Sequence, residues 1–121
     1  MKIRIRGNSV RFRLTRSEVD ELCKTGCVEE KTAFNESSFS YAVKASEEKE
    51  NLYASFVEGT ITLYVSNVLL LDWDTNDNVG FYHNQSLNTG KELTLVLEKD
   101  FVCMDQKTED QSDNYPNPKM K

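Results

Sequence analysis

Six cations and no acid fall within residues 1–16 (MKIRIRGNSVRFRLTR): Lys2, Arg4, Arg6, Arg11, Arg13 and Arg16. A guanidinium group presents its donors as a planar fork that matches carboxylate or phosphate oxygens, so a cluster of them is chemistry for holding an anion. A nucleic acid would draw on the same cluster by releasing its condensed counterions. The spacing puts Lys2, Arg4, Arg6, Arg11 and Arg13 on one parity and Ile3, Ile5, Val10, Phe12 and Leu14 on the other, on either side of Gly7-Asn8-Ser9. Period-2 alternation around a Gly-Asn turn predicts a β-hairpin with an apolar underside and a cationic top. The remaining chain holds nine cations against twenty acids. Lys2, Arg4, Arg6, Arg11 and Arg13 are therefore the candidate anion- or partner-binding residues. Five like charges on one small hairpin repel, which calls for negative groups nearby. These are either an external partner or the protein's own acids, through cross-strand pairing with Glu29, Glu30 and Glu58.

Other reactive side chains are sparse. Cys23 and Cys27 lie four apart, and the single histidine, His83, is distant in sequence. With Cys103 they would complete a Cys₃His donor set, but no zinc spacing signature links them. The residues available to a metal are thus Cys103, His83 and Asp105, with no metal site assigned. Asp105, Glu109, Asp110 and Asp113 lack the glycine and the spacing of a calcium-binding loop. Neither G-x-S-x-G, H-E-x-x-H nor a glycine-rich phosphate loop occurs. Asp72 and Asp74 flank Trp73, but on a helix they would point about 200° apart. The residues imply no cofactor and no catalytic set.

The elements that must position the cations follow from the rest of the pattern. Thr15-Arg16-Ser17-Glu18 is a capping-box sequence, Val19, Leu22 and Cys23 form one helical face, and Gly26 is placed to end the helix. Strand-like runs follow at Val28–Phe34 and Phe39–Val43, then Leu52–Val57 and Ile61–Val65 around Glu58-Gly59-Thr60. A second short helix is expected over Val68–Asp74, followed by strands Val79–Asn84 and Leu93–Glu98. Val10, Phe12, Leu14, Val19, Leu22 and Val28 recur as Ile61, Leu63, Val65, Leu70, Trp73 and Val79 at a spacing of 51. This predicts an internal duplication, about 1–46 and 51–100, of a β-β-α-β-β unit. Two such units can bury each other's apolar faces. The fold class expected is mainly β (α+β), one antiparallel β-barrel or sandwich of eight strands and two short helices.

At 121 residues, the chain is the size of a single domain, placed here at 1–103. Residues 104–121 carry no apolar periodicity and read as an acidic, flexible tail. The longest apolar runs, Val68–Leu71 among them, are far too short to cross a bilayer. No signal-peptide pattern is present and the cysteine count is odd, so a cytoplasmic location is expected.

Two resemblances add to this reading. Gly7-Asn8-Ser9, the alternating Val10, Phe12 and Leu14, and the capped helix after them resemble the swapped-hairpin DNA-binding domain of AbrB-type regulators over about residues 2–22. Those regulators are homodimers of one β-β-α-β-β unit and usually carry proline near Thr15 or Arg16. Here a second unit is fused, with Glu58, Thr60, Thr62 and Tyr64 where a second basic hairpin would lie. Over nearly its whole length the chain also resembles a small uncharacterised bacterial family. The likeness is carried by the opening M-K-I-R-I, G-N-S and R-L-T, by Lys99-Asp100-Phe101-Val102-Cys103, and by Tyr115-Pro116-Asn117-Pro118. No activity comes with that resemblance.

The function these features imply is a cytoplasmic binding or regulatory module. Its basic hairpin contacts an acidic protein segment or the chain's own tail, with no membrane partner. A swapped-hairpin DNA regulator is the alternative, set back by the net charge of −5. A metal-handling or small-molecule accessory protein or enzyme is the other. The oligomeric state does not follow from the residues.

Overall fold

The computed structural model describes residues 1–101, so the expectations for Cys103, Asp105 and the acidic tail lie outside the described residues. Ten elements follow in chain order: β1 (Lys2–Arg6), β2 (Ser9–Leu14), α1 (Arg16–Thr25), β3 (Cys27–Ala33), β4 (Ser38–Ser46), β5 (Leu52–Val57), β6 (Thr60–Ser66), α2 (Asn67–Leu70), β7 (Gly80–Ser86) and β8 (Glu92–Lys99).

Local chemistry explains most boundaries. In the β1–β2 turn Gly7 takes a positive φ and Asn8 does not, whereas in the β5–β6 turn Glu58 and Gly59 both do. These are the signatures of type II′ and type I′ turns, the two whose twist suits a tight hairpin. Helix α1 starts on a complete capping box: the Thr15 hydroxyl accepts from the Glu18 backbone at 3.3 Å, and the Glu18 carboxylate accepts from the Thr15 backbone at 2.8 Å. It ends at Gly26, left-handed at φ 86°, whose N–H donates to the Leu22 carbonyl. The second helix is shorter than its pattern suggests. It stops at Leu70, and Asp72 adopts φ 58°. Trp73 is nevertheless fully buried, its indole N–H donating to the Asn78 carbonyl at 2.9 Å and its ring centred 5.0 Å from that of Phe81. A buried indole needs such an acceptor, and the turn supplies it.

The strands form two four-stranded sheets, β1-β2-β8-β7 and β3-β4-β6-β5. Each takes one hairpin from each half of the chain. The hairpins are antiparallel, but they meet through parallel pairs, β2 with β8 and β4 with β6. The pairing is thus mostly antiparallel with two parallel joins, and the sheets do not close into a barrel. The physical reason is the interleaving: each half sends its two hairpins to different sheets, so the sheet centres join strands that run the same way.

The two β-β-α-β-β-like units correspond in register. Phe12 and Leu63 occupy the same place, each paired with a buried residue of a parallel neighbour, Leu97 and Val43 respectively. The spacing of 51 holds across β1–β2 and β5–β6 but not beyond the helices. Val28 pairs with Val43 as Phe81 pairs with Leu97, so Val28 corresponds to Phe81. Val79, the partner expected for Val28, lies outside β7 and is exposed. The longer turn after α2 shifts the register.

The core is one cluster shared by both sheets and α1. It includes Val10, Phe12, Leu14, Val19, Leu22, Val43, Leu63, Val65, Trp73, Leu95 and Leu97. Side chains join the sheets at their margins. At one margin the Gln85 carboxamide accepts from the Ala54 N–H at 2.7 Å and donates to the Ala54 carbonyl at 3.2 Å, filling the place of a neighbouring strand on the edge of β5. At the other, the Met1 ammonium lies 2.6 Å from Glu18 and 2.9 Å from Glu30, and Glu30 also accepts from the Tyr41 hydroxyl at 3.0 Å. Burial opposes charge on this ammonium, but its hydrogen bonds to the two carboxylates lift its pKa above the usual value. Burial likewise works against the Glu18 carboxylate, yet the ammonium and the Thr15 N–H hold its pKa below the usual range.

Candidate anion-binding face

The parity of β1 and β2 places every predicted cation on the outer face of the first sheet. A one-residue slip would bury the arginines, and the inward alternatives, Val10, Phe12 and Leu14, are all buried. The pairing registers arrange this face in three rows. Lys2, Arg13, Glu98 and Gly80 form the first row. Arg4, Arg11, Val96 and Tyr82 form the second, and Arg6, Ser9, Thr94 and Asn84 the third. The first row is close-packed at one end: a Cβ on Gly80 would lie 2.3 Å from the Leu97 carbonyl oxygen, so only glycine fits there.

The cations divide into two groups. Arg11 and Arg13 converge on one oxygen of Glu98, at 3.2 and 2.7 Å. Lys2 lies 3.3 Å from Asp100. Arg4 and Arg6, on the sheet's edge strand, are exposed and make no ion pair among the described residues. Opposite them, Tyr82 is 66% exposed, and Asn84 accepts from Thr94 at 2.9 Å. The face thus has a centre of three cations partly offset by two carboxylates and an outer margin of two open guanidinium groups.

The internal counter-charges are not those the sequence pointed to. Glu30 is engaged by Met1 and Tyr41, Glu29 lies on the outer face of the second sheet, and Glu58 sits in the β5–β6 turn. Glu98 takes their place because the parallel β2–β8 pairing brings residues 85 and 87 positions apart within contact. The alternation of Leu93, Leu95 and Leu97 against Thr94, Val96 and Glu98 marks Glu98 as outward-facing, but nothing local reveals its neighbour.

The remaining candidates are not drawn together. His83 is half-buried on β7, in register with Leu95 and on the inward parity. Cys23 places its sulfur 3.6 Å from the Leu70 carbonyl, and burial together with the nearby Asp74 raises its thiol pKa. Cys27 pairs in register with Lys44 at the start of β3. Among the described residues no group of three or more histidine, cysteine or acidic side chains is placed to hold a metal ion. Asp72 and Asp74 sit in the turn after α2 rather than on a helix. No helix among the described residues is long and apolar enough to cross a membrane.

Two interleaved β-β-α-β-β-like units, one with a guanidinium-covered outer face, define the class as a mostly β, two-sheet protein. Within that class the chain belongs to DUF7009, a family of unknown function whose model matches residues 1–119. No curated protein and no solved structure matches the chain.

Proposed function

We propose that this protein is a binding module that receives an acidic polypeptide segment on the outer face of its first sheet. The observation that carries this reading is the pair of open guanidinium groups, Arg4 and Arg6, beside cations already satisfied by Glu98 and Asp100. Guanidinium forks take carboxylates in bidentate geometry, and an extended acidic segment could follow the rows of the sheet. The corresponding hairpin of the second half supports this choice over duplex DNA. Its outer positions are Tyr53, Ser55, Val57, Thr60, Thr62 and Tyr64, so a two-fold DNA footprint would find cations on one side alone. The overall charge of −5 repels a duplex beyond the local patch.

Titration with a fluorescent oligoglutamate peptide tests the reading. At about 0.01 M ionic strength, where charges act over about 30 Å, binding should be measurable. It should disappear near 1 M, where screening shortens that range to about 3 Å. The variant Arg4→Glu, Arg6→Glu should lose it already at about 0.01 M. Tighter binding of a DNA duplex than of the peptide would overturn the reading.

A further inference from the structure

We infer that residues 105–113 of this same chain are an occupant of the cationic face, so that the face is masked in cis. The inference rests on the anion-binding reading above and names the segment that regulates it. Three observations converge on it.

The first is the exit point. Asp100, one residue before the end of the described chain, hydrogen-bonds through its N–H to the Leu14 carbonyl and pairs with Lys2. The described residues therefore end at the foot of β1 and β2, beside the first row of cations. The second is reach. Twelve residues, 102–113, extend to about 40 Å. The face from Lys2 to Arg6 is only about 14 Å long at the rise of a strand. The third is charge. Residues 102–113 hold Asp105, Glu109, Asp110 and Asp113 against Lys107 alone. The family match runs to residue 119 and so includes this acidic segment with the fold, as expected if the two work together.

Such a contact is a set of exposed ion pairs. Each is individually weak, and tethering makes their encounter intramolecular. The mask should be displaceable by a stronger acidic ligand and should fade with salt.

The test keeps the full chain and neutralises the segment: Asp105→Asn, Glu109→Gln, Asp110→Asn and Asp113→Asn. A control removes the same charge elsewhere by Glu36→Gln, Glu47→Gln, Glu48→Gln and Glu50→Gln, all exposed positions in the loops after β3 and β4. At about 0.01 M ionic strength the neutralised tail should tighten binding of the oligoglutamate probe about tenfold, and the control about twofold or less. Adding Arg4→Glu and Arg6→Glu to the neutralised tail should abolish the gain. Equal tightening in both neutralised variants would overturn the masking while leaving the anion-binding face in place. Binding that ignores Arg4 and Arg6 in every background would overturn the face itself, and the masking with it.

Discussion

Where β1 and β2 present Lys2, Arg4, Arg6, Arg11 and Arg13, the corresponding register positions of β5 and β6 present Tyr53, Ser55, Val57, Thr62 and Tyr64. Beneath them the inward positions agree: Val10, Phe12 and Leu14 on one hairpin, Ile61, Leu63 and Val65 on the other, all buried. Packing tolerates little change in the shared core. Outward positions are less constrained by the shared core, and there the two hairpins diverge. The cations are therefore not required by the fold, since the second hairpin makes the same fold without them. The edges differ as well. The Gln85 carboxamide covers the backbone of Ala54 on edge strand β5, whereas Thr32 stands at the register position corresponding to Gln85 and cannot reach as far. On β1, charged side chains serve a second end by discouraging edge-to-edge association.

The sharpest tests of this comparison lie in the shared core. Phe12→Ala should cost about 3–5 kcal/mol and Leu63→Ala about 2–5 kcal/mol, because both side chains are fully buried at corresponding positions. Chemical denaturation would show it, and a near-neutral result for either would break the correspondence of the halves. The edges come next. Gln85→Ala should cost about 1–3 kcal/mol, since it leaves two backbone groups of Ala54 without their partner. Thr32→Ala should stay within about 0.5 kcal/mol, as an exposed position on the margin without such a clamp. Equal costs would remove the distinction between the margins.

A smaller effect concerns pH at the Met1 margin. The Glu18 pKa is depressed from an ordinary 4.5, so its contribution to stability is full above that value and fades as pH falls through and below it. Denaturation midpoints followed from pH 7 to 3 should fall less steeply in Glu18→Gln than in the parent. Parallel curves would show that this carboxylate is not coupled to folding.

How far the sequence reveals this molecule depends on the range of the interaction. Alternation on β2, the capping box at Thr15 and Glu18, and the Gly26 stop are local, and all appear in the structure. The correspondence of halves is also visible in β2 and β6, where no insertion intervenes. It drifts after the helices, because α1 spans ten residues and α2 only four before a longer turn. For that reason the spacing of 51 sets Val79 against Val28, while the register belongs to Phe81. The parallel pairing of β2 with β8 is wholly non-local, and the role of Glu98 depends on it. Of the candidate face, the cations and their common side are readable from period-2 spacing, but the division into paired Arg11 and Arg13 and open Arg4 and Arg6 is not.

If the first sheet's outer face, and not the molecule's charge in general, recognises an acidic segment, the effect of a charge reversal depends on the face that carries it. The direct measurement is oligoglutamate binding by two full-length variants that change charge equally on the two faces. One is Arg4→Glu, Arg6→Glu on β1; the other is Lys31→Glu, Lys44→Glu on the outer face of the second sheet. Glutamate on β1 would guard the edge as well as arginine does, so association state should not change and binding alone is read. At low ionic strength binding should be abolished in the first variant and stay within about twofold of the parent in the second. Equal loss in both would show that net charge governs the interaction and would overturn recognition by this face.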